Sequence, residues 1–384
     1  MKIGTLSMII ATLNESPQES RVAITPNAVK QYEKMGLSVL CETNAGKASG
    51  FSDKDYLAVG AKIALTRKEL WHEADILVCV NEPSPADLQG LKPGTLVIAP
   101  IDNDEQSPLL QWACKHSIAL FSMNLIPRIS RAQNMDSLSS QANLAGYRAV
   151  LEGVAHFNRA IPMMMTAAGM IHPAKILVLG AGVAGLQAIA TAKRLGAVIY
   201  AFDVRRVAKE QVESLGAEFI EVSDGEDNET SGGYAREMSD EYKQKQAELI
   251  DEYAKLADIV ICTALIPGRK APVLLTKATV DGMKAGSVIV DLATSRGGNC
   301  EVSKKDEVIK HGDVTVVGFS NMAGLISTTA SELYATNVVN LLRLLTEKGE
   351  TLNFNPEDEI IKQALLTNEG KHMPFLTSKE SGNA

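Results

Sequence analysis

Cysteine and histidine are scarce in this 384-residue chain, and neither is grouped. The five cysteines (Cys41, Cys79, Cys114, Cys262 and Cys300) contain no Cys-x-x-Cys pair and no Cys/His set at zinc spacing. Their odd number and their scatter fit a reducing compartment and argue against a disulfide framework. The six histidines fall in no motif, so neither a Ser-His-Asp arrangement nor a metal site is indicated. A basic excess is missing as well. The net charge of −8 removes the electrostatic footprint of a nucleic-acid binder. Long apolar runs are also absent: the longest, Ile176–Ala192, holds three glycines and Gln187 and ends at Lys193-Arg194. It is too short and too broken to span a bilayer. The run Ile3–Leu13 is interrupted by Gly4, Thr5, Ser7 and Thr12 and reads as a first strand, not a leader.

What is present suits a soluble α/β enzyme of two domains, with 45% apolar and 22% charged residues. Short apolar runs at Ser38–Glu42, Ile76–Val80, Leu96–Ile101 and Ala119–Ser122 read as buried strands. Helical segments near Asn27–Met35 and Lys54–Val59 lie between them, the first introduced by Thr25-Pro26. Leu138, Ala142, Ala145, Ala149, Gly153 and Phe157 then recur at helical spacing, predicting one long helix over Ser137–Arg159 that Pro162 closes off. A second α/β unit follows, with six expected strands: Lys175–Leu179, Val198–Phe202, Phe219–Val222, Ile259–Thr263, Val288–Leu292 and Val314–Phe319. Another long helix is expected over Ser327–Thr346, with Leu333, Val338, Leu341, Leu342 and Leu345 on its apolar side. The expected class is therefore α/β, with two Rossmann-like doubly wound domains linked by long helices. One domain comprises residues 1–137 and 327–384, and the other, 138–326, is inserted into it.

The most informative stretch is Lys175-Ile-Leu-Val-Leu-Gly180-Ala-Gly182-Val-Ala-Gly185. Gly180 permits a tight strand-to-helix turn, Gly182 lets backbone approach a pyrophosphate, and Gly185 lets the helix pack closely on the strand. The phosphates would meet the free N–H groups of a helix N-terminus. Asp203 ends the next strand, 18 residues after Gly185, where a carboxylate accepts both hydroxyls of an adenosine ribose and repels a 2′-phosphate. Arg205 and Arg206 pull the other way, because an arginine accommodates that phosphate. Strand ends at Thr263–Gly268, Asp291–Cys300 and Gly318–Met322 should line the same edge. The polar loop Arg128–Asp136 leads into the long helix, and there Asp136 is either an N-cap with Ser139 nearby or a ligand contact. Ser223–Lys245 is an acidic connection of unusual length carrying Gly232-Gly233-Tyr234.

Several of these strings are similar to transhydrogenase NAD(H)-binding components: Pro127–Arg148, Pro162–Gly169, Gly182–Ala197 and Gly232–Met238, in order along the chain. The resemblance runs from about Glu15 to Lys348. It implies two α/β domains shared with alanine dehydrogenases, a homodimer, and bound NAD(H) exchanging hydride with NADP(H) on a partner component. A membrane-embedded partner would couple the exchange to proton translocation, holding this chain at the cytoplasmic membrane face. By the same resemblance Arg128, Gln133, Asp136 and Ser139 surround the nicotinamide end. Gly180, Gly182, Val183, Ala184, Gly185, Asp203, Val204, Arg205, Ala264 and Leu265 contact the rest of the cofactor. Tyr234 would tip a loop that closes over it.

Alanine dehydrogenases offer the rival reading. Arg21 matches their substrate arginine, which both families have. The positions of their lysine, histidine and aspartate hold Asn81, Asp102 and Ser295. Amino-acid oxidation lacks its cation and its acid/base there. The sequence also departs from the transhydrogenase pattern, with about seven extra residues before Met8, Thr294-Ser295-Arg296 before the glycine pair, and Ala323-Gly324-Leu325 after the last strand. A nucleotide-binding regulatory protein without hydride exchange is the third reading.

Overall fold

The computed structural model describes residues 7–222, 240–266, 269–347 and 350–374. The chain forms two compact units, Met1–Gln141 with Ile326–Ala384, and Ala142–Leu325.

The first unit is built on an eight-stranded sheet. Ile9–Thr12 lies inside it, parallel to Ser38–Glu42 on one side and Ile76–Val78 on the other. Leu96–Ala99 and Ala119–Ser122 continue the parallel order, and Leu365–Asn368 closes that side antiparallel to Ala119–Ser122. Successive residues of each strand face opposite sides: Ile76, Val78, Ile98 and Phe121 enter one apolar cluster, Leu77, Val97 and Leu120 the other. Burial on both faces explains why these strands read as unbroken apolar runs. The helix Pro26–Lys34 begins as its sequence indicates, with the Thr25 side chain accepting the Ala28 N–H and proline in the first turn. The helix Ser327–Leu345 buries Val338, Leu341, Leu342 and Leu345, whereas Leu333 is exposed.

The second unit holds a seven-stranded sheet. Its order is Glu218–Phe219, Val198–Phe202, Lys175–Leu179, Ile259–Cys262, Val288–Asp291, Val314–Val317 and Val308–His311. All neighbours are parallel except the last pair, an antiparallel edge hairpin that the apolar pattern missed. Val308–His311 is half exposed and lacks an apolar run, so only pairing identifies it. A second unanticipated hairpin, Met164–Thr166 with Gly169–Ile171, is almost wholly exposed. The helix Ser137–His156 stops three residues before its expected end, and Leu138 in its first turn is exposed.

Candidate nucleotide site

Chain reversal at Gly180 creates the nucleotide turn. Gly180 has φ +101°, which an L side chain rarely adopts, and a Cβ there would lie 2.7 Å from Thr263 Oγ1. Gly185 starts no contact of its own but permits one: a Cβ on it would sit 1.8 Å from the Gly180 carbonyl oxygen. The helix Val183–Arg194 is thereby seated directly on the turn. Gly182, its N-cap, faces open space and supplies no capping side chain. The first-turn N–H groups of a 12-residue helix are thus left for a ligand, as a phosphate site requires. Val183 in that turn is exposed, as is Leu265 beyond the neighbouring strand end.

Asp203 holds the turn from the next strand. Its Oδ2 accepts the Ala181 N–H at 2.7 Å, which ties the carboxylate to the glycine loop. Its Oδ1 accepts the Arg205 backbone N–H at 2.9 Å, and the Arg205 guanidinium bonds both oxygens. Val204 between them is partly buried against the apolar cluster on that face of the sheet.

Two residues not assigned to the site from sequence shape its far wall. Asn299, fully buried, clamps Ala264: its Oδ1 accepts the Ala264 N–H at 3.0 Å and its amide donates to the Ala264 carbonyl at 2.8 Å. Asp291, also fully buried, orients Asn299 in turn, accepting the N–H groups of Asn299 and Cys300 and the Ser303 hydroxyl through Oδ2. A strand-end aspartate followed by a polar residue after Gly297-Gly298 is the signal that marks them. Cys262 and Cys300 are no nucleophiles: burial pushes the Cys262 thiol far up and that of Cys300 to about 12.

One further glycine was missed. A Cβ at Gly146, in the helix Ser137–His156, would lie 2.0 Å from the Ala184 carbonyl oxygen. Gly153, seven residues on, presses close to the Ile259 side chain, 2.9 Å from where its Cβ would stand. This face of the helix backs the nucleotide turn, and the seven-residue spacing of the two glycines is its sequence signature.

Arg128, Gln133, Asp136 and Ser139 lie in the first unit. Arg128 and Gln133 are exposed. Asp136 caps the long helix, accepting the Ser139 N–H at 2.9 Å and the Ser139 hydroxyl at 2.6 Å. The loop is pinned beside them, because Arg131 forms a two-pronged ion pair with Asp358 at 2.8 and 2.9 Å. Arg21 is bound through its guanidinium to both Glu19 oxygens and to Gln141. Asn81 donates to Glu19, and Asp102 accepts from Asn124. Burial raises the Glu15 carboxyl, which accepts the Val80 and Asn81 N–H groups, to about 7. Tyr234 and the stretch Gly232–Gly233 fall outside the described residues. Among the described residues no three His, Cys, Asp or Glu side chains group as a metal site, and no helix is long and apolar enough to cross a membrane.

Comparison with known proteins gives consistent matches over nearly the whole chain. The family models "Alanine dehydrogenase/PNT, N-terminal domain" and "Alanine dehydrogenase/PNT, C-terminal domain" match residues 12–145 and 149–374. The chain is 44% identical to the first portion of NAD(P) transhydrogenase subunit alpha of Rickettsia prowazekii, a separate polypeptide there, covering 96% of each protein. It is 47% identical to the protein of the same description from Rhodospirillum rubrum, covering 94% of this chain and 97% of the relative. The crystal structure of transhydrogenase from Sinorhizobium meliloti superposes with a TM-score of 0.86 at 45% identity, over 95% of this chain and 99% of that one.

Proposed function

Because the chain belongs to the alanine dehydrogenase/PNT family, we propose that it is the NAD(H)-binding component of a proton-translocating transhydrogenase. The observation that carries this reading is the nucleotide cradle: an uncapped helix N-terminus with open space at Gly182, beside a strand-end aspartate tied to the same loop. Bound NADH supplies a hydride, which passes to NADP⁺ held on a partner component.

This chain's residues then serve to position the cofactor. Gly180, Gly182, Val183, Ala184 and Gly185 hold the pyrophosphate on backbone N–H groups, and Asp203, with Val204 and Arg205, holds the adenosine ribose. Ala264 and Leu265 line the wall that Asn299 clamps. The family resemblance assigns Arg128, Gln133, Asp136 and Ser139 to the nicotinamide end. Direct exchange needs no acid/base, only two rings brought to about 3–3.5 Å between reacting atoms with water excluded. The capping Asp136 suits that role, since its carboxylate is engaged by Ser139 and serves as an anchor, not a base. Amino-acid oxidation is disfavoured, since an amide at Asn81 and a carboxylate at Asp102 replace the groups it requires.

Mixing the pure protein with an NADP(H)-binding transhydrogenase component should produce hydride exchange between NADH and an NADP⁺ analogue. The protein alone should form no NADH from NAD⁺ and L-alanine. Turnover that scales with enzyme and depends on L-alanine, with no exchange in the mixture, would restore the dehydrogenase reading.

Membrane attachment is proposed to run through the partner subunits, at the cytoplasmic face, with this chain as a homodimer. The hairpin supports the dimer, for Met163, Met165 and Met170 are 60%, 74% and 48% exposed, and clustered apolar exposure marks an interaction surface. Light scattering should give twice the chain mass, and Met165→Lys with Met170→Lys should shift it toward one chain. A monomer without substitution, or a dimer indifferent to both lysines, rejects this assembly.

A further inference from the structure

The carboxylate of Asp203 has no acceptor capacity to spare. A carboxylate offers about four acceptor positions. Here they take the Ala181 N–H at 2.7 Å, the Arg205 backbone N–H at 2.9 Å, the Arg205 Nε–H at 3.0 Å and an Arg205 Nη2–H at 3.1 Å. The Asp203 side chain keeps only 7% of its surface exposed, against 23% for Arg205. A ribose diol therefore finds its acceptors already engaged.

The four bonds are not equivalent. Two come from backbone N–H groups that define the turn, and these hold the carboxylate in place whatever the arginine does. The other two come from a long side chain whose head is partly in water, where an ion pair contributes little net stability and exchanges readily. Only this pair can give way to hydroxyl donors without unmaking the loop.

We propose that Arg205 is the resident counter-ion of the ribose carboxylate, displaced when an adenosine ribose binds, and that it sets how strongly the chain distinguishes NADH from NADPH. The proposal rests on the reading of Asp203 as the ribose acceptor. Arg205 acts in two ways, and both compress the preference. It competes with the ribose hydroxyls of NADH for Asp203. Against NADPH it neutralises the charge that would repel a 2′-phosphate, and its displaced guanidinium, two residues along the chain, is a cation for that phosphate.

Calorimetric titration of the full chain with NADH and with NADPH tests this. Arg205→Ala should raise the ratio of the NADPH to the NADH dissociation constant by about tenfold, the scale of one charged hydrogen-bonding partner. Arg205→Lys, which retains the cation, should keep the ratio within about threefold of the unmodified chain, and thermal unfolding should show both variants folded. Combining Arg205→Ala with Asp203→Ala should abolish any gain in NADH affinity that Arg205→Ala brings alone, since no carboxylate remains to be released. If Arg205→Ala weakens both nucleotides equally, or leaves the ratio within twofold while Asp203→Ala still weakens NADH, the counter-ion role is overturned and the ribose role of Asp203 stands. Failure of the unmodified chain to bind either nucleotide would overturn both.

Discussion

Alanine in place of Gly185 is expected to lower the thermal midpoint of the nucleotide-binding unit by roughly 6–12 °C and to abolish measurable NADH binding, whereas alanine in place of Gly182 should leave the midpoint nearly unchanged. The two positions are three residues apart in one motif, yet they meet different surroundings. A Cβ at Gly185 would lie 1.8 Å from the Gly180 carbonyl oxygen, which is backbone and cannot rotate aside. The helix must lift off the turn, and overpacking of this kind costs about 3 kcal/mol at the upper end of its usual range. In a unit of this size that corresponds to the shift given. At Gly182 φ is −77° and nothing lies within 4 Å of a Cβ, so the fold tolerates the methyl group. What it fills is the space a pyrophosphate would approach, so NADH affinity should fall while stability holds. Gly146→Ala provides the companion case, its Cβ 2.0 Å from the Ala184 carbonyl oxygen and its effect expected to follow Gly185. Differential scanning calorimetry and NADH titration of the three variants decide the matter. A Gly185→Ala protein with an unaltered midpoint and unaltered affinity would show that the helix does not sit on the turn.

Asp203→Ala should weaken NADH binding by about 10–100-fold, the value of hydrogen bonds to a charged acceptor at about 1.5–3 kcal/mol. It should weaken NADPH far less, because the same substitution removes the repulsion of the 2′-phosphate and leaves Arg205 without its carboxylate. The preference narrows or inverts. The loop also loses its tie at Ala181, a 2.7 Å bond to backbone worth about 1 kcal/mol. Asp203→Asn separates these effects: its amide oxygen can still accept the Ala181 N–H, but the charge is gone, so it should fall between the two in NADH affinity and match alanine in its loss of discrimination. Equal NADH affinity for the unmodified and Asp203→Ala proteins would remove Asp203 from the ribose.

The α/β class was legible because it rests on local patterns. Strands such as Lys175–Leu179 and Val288–Asp291 are buried on both faces, so they appear as short unbroken apolar runs between helices. Thr25-Pro26 announced a helix through a cap that involves only neighbouring residues. The half-exposed edge strand Val308–His311 and the exposed hairpin Met164–Ile171 had no such signature, since neither fills a core. The pairing of Leu365–Asn368 with Ala119–Ser122 joins segments over 240 residues apart in the chain, and no local pattern carries it.

Within the nucleotide cradle the division has a physical basis. The residue types of the turn, Gly180, Gly182, Gly185 and the strand-end Asp203, follow from the sequence by itself, because a positive φ, a small helix-start residue and a carboxylate after a strand are requirements of a few adjacent residues. Only the tertiary structure decided what those groups already touch. Gly146 meets Ala184 across 38 residues, Asn299 clamps Ala264 across 35, and the Asp203 oxygens are filled from both sides by Ala181 and Arg205. Close backbone approach and the occupancy of an acceptor depend on neighbours in space, and chain order alone does not specify which neighbours arrive.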